Sequence, residues 1–367
     1  MIGLDLMRGI AALTVLVAHL RGNSFVEYGA LPVGQHTMLT ALFFFVTRVA
    51  YEAVIVFFVL SGFLVGGQVL TRLRDGRFEE YDYIVDRTTR ILIPLIPACL
   101  FTAAIDILFY RQPPPIGQLI ANMVGLNEIV ADSLTNNGVL WSLTYEIWFY
   151  ILAGALAYVA SRRLNSIAGL VLAVCCLVFV VLQTRYLVFW MFGAFVSTRR
   201  DVRFRGLLAV IGFCLALIGT IFYELAADSR SMVSVTYLPP IVAEALMCVG
   251  VGAMLPFLAS KSVNSLLWPV RGLAAALAGF SYTLYLTHRP TDAAFGLLFE
   301  KADTLSVHSL AVYGIRIVVC ISVAVAFYFA FERNTATVRG WLRKRSASRV
   351  RTEQRDAVAG APRERSP

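Results

Sequence analysis

The sequence predicts an all-α polytopic membrane protein, a bundle of about ten transmembrane helices with both termini cytoplasmic. Three observations predict it. Hydrophobic residues make up 58% of the 367-residue chain and charged residues 15%, with a mean hydropathy of +0.72, a balance that soluble domains do not approach. Apolar windows fall at 4–20, 41–65, 91–111, 139–160, 166–183, 186–198, 206–226, 239–258, 273–299 and 307–331, most of them near the ~20 residues that a spanning helix needs. Finally, basic residues collect in alternate connections between those windows.

The first window, LDLMRGIAALTVLVAHL (Leu4–Leu20), has the length of a leader. Asp5 and Arg8 interrupt it and no small-residue cleavage pattern follows, so it is expected to stay in the protein. The second ends in FFVLSGFL (Phe57–Leu64), where Ser61 and Gly62 are small enough to let membrane helices approach closely. Arg72, Arg74, Arg77 and Arg87 follow it; Arg162 and Arg163 follow the fourth window, Arg199, Arg200, Arg203 and Arg205 the sixth, and Lys261 and Arg271 the eighth. This alternation places those connections, the amino terminus and the segment from Arg333 in the cytoplasm. The longest connection on the other face, Arg111–Gly138, opens with three prolines and is either a short interfacial helix or a plain linker. Residues 1–335 form the membrane domain; 336–367, polar, basic and rich in small residues, form a disordered tail.

The formal charge of +9 invites a nucleic-acid partner, but the basic residues lie in membrane flanks and the tail, so the expected partner is membrane lipid and no nucleic acid. Six cysteines are scattered through apolar runs without disulfide or C-x-x-C spacing, and no metal site is expected.

Several polar residues stand where lipid-facing residues are expected. Arg8 and His19 are 11 residues apart, three helical turns plus about 20°, which puts both on one face roughly 16 Å apart. Ionisable groups at membrane depth are costly unless they meet a cavity or a partner, so this stripe should face the bundle interior. Snorkelling to the interface would also account for Arg8, and packing for His19. The fourth window opens with WSLTYEIWFY, placing Trp141, Ser142, Tyr145 and Glu146 within two turns. Glu146 is expected in the outer half, beside His19, where a carboxylate would orient and polarise the imidazole; a salt bridge to Arg48 or Arg289 is the structural alternative. In the ninth window, GFSYTLYLTHRP brings Tyr282, Tyr285 and His288 onto one side at spacings of three, as a site or as part of an aromatic belt. Arg87 and Arg90, also three apart at the inner end of the third window, can bind phosphate or simply flank the membrane.

Together these segments resemble the membrane acyltransferase-3 family over about residues 4–335. The resemblance rests on the spacing from Arg8 to His19, on FFVLSGFL, on the R-x-x-R of Arg87 and Arg90, on Trp-Ser-x-x-Tyr-Glu at Trp141–Glu146, and on Ser-Tyr-x-x-Tyr-x-x-His ending at His288. Ala53-Val54 stands where similar proteins usually have glycine-valine, and no hydrolase-like domain follows the membrane region. The resemblance implies an O-acyltransferase of the bacterial inner membrane. It would move an acyl group, usually acetyl from acetyl-CoA, to a saccharide of a surface polysaccharide, a lipid-linked glycan or a glycosylated metabolite. It further implies that Arg8, Arg87, Arg90 and Ser61 hold the acyl-CoA and that His19, Glu146 and Tyr145 serve the chemistry, with His19 as base or covalent carrier. Trp141, Ser142, Tyr285 and His288 would contact the acceptor. A transporter or channel with a His/Glu proton relay is the rival expectation, although it gives the inner arginines no task.

Overall fold

The computed structural model describes residues 1–162, 164–199, 202–227 and 239–346. Arg163 and Arg200 of the basic connections and the tail beyond 346 lie outside these residues. Every one of the ten apolar windows folds as helix. The chain runs through α1 (Ile2–Ser24), α2 (Met38–Val46), α3 (Ala50–Ser61), α4 (Gly67–Arg74), α5 (Glu80–Tyr110), α6 (Ile116–Val124) and α7 (Leu140–Ser161). It continues through α8 (Ser166–Val181), α9 (Thr184–Ser197), α10 (Arg205–Ala227), α11 (Pro240–Leu258), α12 (Lys261–Leu266), α13 (Arg271–Gly296) and α14 (Val307–Ala330). Seven stretches are long and apolar enough to cross a membrane: Ile2–Ser24, Met38–Arg74, Glu80–Tyr110, Leu140–Ser161, Arg205–Leu225, Pro240–Leu258 and Val307–Ser346. Of the other three windows, α8 and α9 are shorter, at 16 and 14 residues, and α13 has the length but carries Arg289 and Asp292.

Local sequence explains the joints. Asn165 caps α8 by accepting from the Ala168 amide (2.8 Å), Ser306 and Ser309 form a capping box on α14, and Pro240 starts α11 where no amide donor is needed. Between α3 and α4 the helix widens into a π turn at Gly62–Gly66, a device common at functional sites. Gly62 has to be glycine: a Cβ there would lie 1.9 Å from the Trp190 carbonyl oxygen, so α3 and α9 touch backbone to backbone. The expected close approach at Gly62 is thus made against α9.

α1 packs against α13, with α3 and α14 on its flanks. The two run parallel: Gly9 meets Leu277, His19 meets His288 and Asn23 meets Asp292. Pro290 inside α13 cannot donate to the Leu286 carbonyl, which instead accepts from the Asn137 side-chain amide at 2.9 Å. Asn137 is fully buried and also bonds Thr102 of α5. The connection at 111–138 therefore dips into the bundle before α7 begins, and its short helix is α6. α10 and α11 form a pair, with α10 exposing much of its apolar surface, Leu207 and Val210 among it, as expected of a helix facing lipid.

Part of the expected disordered tail at 336–367 is helical. Residues 335–346 continue as helix, and Arg343 bonds Asp86 (2.9 Å) and Asp82 (3.0 Å) at the start of α5. Tyr81 also donates to the Leu342 carbonyl at 3.1 Å. These partners come from α5, so composition within the tail could not reveal them. Of the six cysteines, all free, Cys176 and Cys214 are exposed and the other four are buried.

Candidate active site

A cavity of about 470 Å³ opens among α1, α3, α5, α7 and α13, within the size range of small-molecule sites. At the end where α1 and α5 begin it is lined by Asp5, Arg8, Arg87 and Arg90; toward the middle of the bundle it passes Ser61, Glu146 and Tyr150 and stops at Ser142, Phe57 and Tyr285. The three guanidinium groups share the lining with the Asp5 and Glu146 carboxylates, and a third carboxylate, Glu332, stands against Arg90. Arg90 is ion-paired to Glu332 at 3.0 Å. Among the described residues Arg8 and Arg87 have no carboxylate within ion-pairing distance, and the Arg87 Nε is buried without a hydrogen-bond partner. The Arg87 guanidinium lies over the Tyr150 ring, 5.5 Å from its centre, which holds the cation in place at little desolvation cost.

His19 sits three turns along α1 from Arg8. Its Nδ1 is 2.9 Å from Nε2 of His288, and the two rings are nearly coplanar, at 6°. Nδ1 of His288 lies 3.0 Å from the Leu284 carbonyl oxygen. His288 is fully buried, whereas His19 is half-buried. One aromatic layer separates this pair from the cavity: Tyr285 has its ring centre 6.0 Å from that of His288 and 6.0 Å from that of Phe57. The Tyr285 hydroxyl is held by Ser142 Oγ (2.6 Å) and donates to the Val139 carbonyl (3.1 Å).

The expected pairing of Glu146 with His19 is absent among the described residues. Glu146 Oε1 instead accepts from Ser61 (3.2 Å) and from Tyr150, and Ser61 also bonds the Tyr150 hydroxyl (3.1 Å) and accepts from Trp190 Nε1 (3.2 Å). The reason is depth. Because Asn137 is already inside the bundle when α7 starts, Ser142 is level with Tyr285, and Glu146 lies one turn farther from His19, on the Arg8 side. The proton relay between Glu146 and His19 loses its link for the same reason.

With the cavity and the histidine pair in place, the comparison with known proteins is decisive: a family model described as an acyltransferase domain matches residues 1–331, from the start of α1 to the end of α14. The chain belongs to the acyltransferase-3 family. No curated protein and no solved structure matches the chain.

This acyltransferase is an integral membrane protein, and its cavity gathers seven of the eleven residues singled out in the sequence: Arg8, Arg87, Arg90, Ser61, Ser142, Glu146 and Tyr285. His19 and His288 form the separate pair behind the aromatic layer. Trp141 and Tyr145 are elsewhere. Both pack with Phe58 and Tyr186, and the Tyr145 hydroxyl accepts from the Gln183 amide at 3.1 Å, so its polar atom is occupied in joining α7 to α9. Sequence inspection missed Tyr150 and Glu332. Tyr150 was findable, since it follows Glu146 by four residues on the same helix face; Glu332, at the far end of α14, carries no local signal that it meets Arg90 and Thr283. Among the described residues no group of three or more His, Cys, Asp and Glu gathers as a metal site.

Proposed function

We propose that this acyltransferase takes an acyl group, acetyl in the simplest case, from cytoplasmic acyl-coenzyme A and delivers it to a sugar hydroxyl. The acceptor is a surface polysaccharide, a lipid-linked glycan or a glycosylated metabolite. The enzyme would work in the bacterial cytoplasmic membrane, with ten helices crossing and both termini inside. The observation that carries the donor is the cavity mouth, where Arg8 and Arg87 present guanidinium groups that have no ion-pair partner among the described residues and Arg90 a third that is shared with Glu332. Phosphate is the ligand that such groups bind best, through paired charge-assisted hydrogen bonds. A donor held there by its phosphates would extend its thioester arm past Ser61 toward Tyr285. His19 lies just beyond. Displacement of the Tyr285 ring would join the two compartments, and His19 would then take the proton from the acceptor hydroxyl. The hydroxyl oxygen bonds to the acyl carbon, the carbon–sulfur bond breaks, and the sulfur leaves with that proton as coenzyme A thiol. Trp141 and Tyr145 support α7 in this scheme and take no part in the reaction.

Calorimetric titration of coenzyme A into the purified protein tests the donor. Arg8→Met and Arg87→Met are each expected to weaken binding tenfold to a hundredfold, since a hydrogen bond to a charged group contributes about 1.5–3 kcal/mol. Glu146→Gln should do the opposite. It keeps the acceptor for Ser61 and Tyr150 but removes a negative charge from the cavity, so binding should tighten by roughly fivefold, or about 1 kcal/mol. Coenzyme A affinity that stays constant across both arginine variants would refute the donor assignment. For the acceptor, mass spectrometry of surface glycans from cells with and without the gene should reveal a lost acyl mass.

A further inference from the structure

We infer that His288 is a positioning residue: it holds His19 in the one tautomer whose free nitrogen, Nε2, can act as the base. The inference rests on the assignment of His19 as the group that takes the acceptor proton. Its starting point is an atom that cannot donate. The Leu284 carbonyl oxygen, 3.0 Å from His288 Nδ1, only accepts, so Nδ1 carries the hydrogen. In a neutral imidazole the other nitrogen is then an acceptor. His288 Nε2 therefore receives the hydrogen of His19 Nδ1 across 2.9 Å, and His19 is left with a lone pair on Nε2.

Two other proton arrangements are possible on paper. Placing the hydrogen on His288 Nε2 would set a bare Nδ1 against a carbonyl oxygen in a fully buried site, two lone pairs facing each other. Charging His288 would bury a cation with no carboxylate bonded to it. Asp292, one turn away on α13, is already taken by Arg316 and Asn23, while Arg289, on the same helix, adds a like charge. Among the described residues no carboxylate is hydrogen-bonded to either imidazole: α14 presents the Cys320 thiol to the His288 carbonyl, α3 presents Phe57 to the neighbouring Tyr285, Asp106 of α5 is held by Asn136, and Arg21 of α1 is paired with Glu27. Neutral His288 with hydrogen on Nδ1 is what the surroundings permit.

The arrangement has the logic of an orienting group behind a catalytic imidazole, with a second imidazole in the place usually held by a carboxylate. When His19 takes the hydroxyl proton on Nε2, its Nδ1–H still points at an acceptor, so the imidazolium is stabilised where it forms. The proton then passes from Nε2 to the departing sulfur, and the starting tautomer returns. This accounts for a fully buried histidine that does not line the arginine cavity.

The tautomer can be read directly. The chain has four histidines, so protein carrying ¹⁵N-labelled histidine in lipid nanodiscs gives a tractable spectrum, with the His19 signals identified by their loss in His19→Gln. At neutral pH His19 is expected to show a protonated Nδ1 and a bare Nε2; the reverse pattern overturns the inference, whatever the activity. Kinetics supply a second test. His288→Gln keeps an acceptor near the Nε2 position and should retain kcat within about tenfold, whereas His288→Leu removes it and should lower kcat by about 10²–10⁴-fold at unchanged donor KM. Equal kcat in the Gln and Leu variants overturns the positioning role. Should His19 itself prove dispensable for transfer, its assignment as base falls, and the spectrum still decides the tautomer.

Discussion

His19→Ala is expected to lower kcat for acyl transfer by at least 10²–10⁴-fold, the usual range for loss of a general base, while the protein remains folded and binds coenzyme A as before. His19 is half-buried and its only side-chain hydrogen bond among the described residues goes to His288. Losing that bond leaves His288 Nε2 unsatisfied at a cost of about 1–3 kcal/mol, which a large helical bundle can bear. Arg8 and Arg87, the proposed donor-binding groups, line a different compartment and are untouched. Thiol release from acetyl-coenzyme A in the presence of acceptor, measured beside a thermal unfolding curve and a coenzyme A titration, separates chemistry from stability and binding. Near-normal thiol release from a well-folded variant would remove His19 from the reaction.

The largest effect on stability is expected at Arg316. Its Nη2 and Nε lie 2.5 and 2.8 Å from Asp292 Oδ1, Asn23 donates to the other carboxylate oxygen at 2.6 Å, and both charged side chains are almost fully buried. The cluster ties α13 and α14 to the carboxyl-terminal end of α1, one turn beyond His19. Arg316→Met leaves an uncompensated carboxylate in the bundle and should cost about 3–5 kcal/mol, seen as a lower unfolding temperature and reduced yield. Removing both charges, as in Arg316→Met with Asp292→Leu, should recover most of that loss, because the penalty comes from the stranded charge rather than from the missing pair. A double variant no more stable than the single one would show that the pair itself supplies the stability.

Helical periodicity made much of the site legible, and depth hid the rest. On α7, Ser142, Glu146 and Tyr150 recur every four residues and form the cavity stripe, while Trp141, Tyr145 and Phe149 form the neighbouring stripe that packs against α9. Both stripes can be traced in WSLTYEIWFY, yet nothing in it says which one meets the cavity. The position of Glu146 along the membrane depended on where the outer connection ends, and that is decided by the bond between Asn137 and a carbonyl freed by Pro290, 149 residues away. The seven long apolar helices were legible because a bilayer forces apolar runs of fixed length. The helical stretch 335–346 was not, because its partners Asp82 and Asp86 lie on α5, far from it in sequence.

If the protein spans the membrane as proposed, the Tyr285 and Phe57 layer would also decide where voltage acts on it. The cavity is lined by arginines, Asp5 and Glu146 on the Arg8 side, so water and ions entering it carry the electrical potential of that side deep into the bundle. The membrane voltage then drops over the shorter stretch that begins at the aromatic layer, which is the stretch holding His19 and His288. A full crossing is worth about 2.3 kcal/mol per unit charge per 100 mV, and a proton arriving at or leaving His19 crosses part of this compressed field. With the layer closed, the histidine pair is insulated from the arginine compartment. In the proposed open state the same pair would join that compartment's potential, so the ring of one tyrosine would set how strongly an energised membrane bears on the charge state of His19.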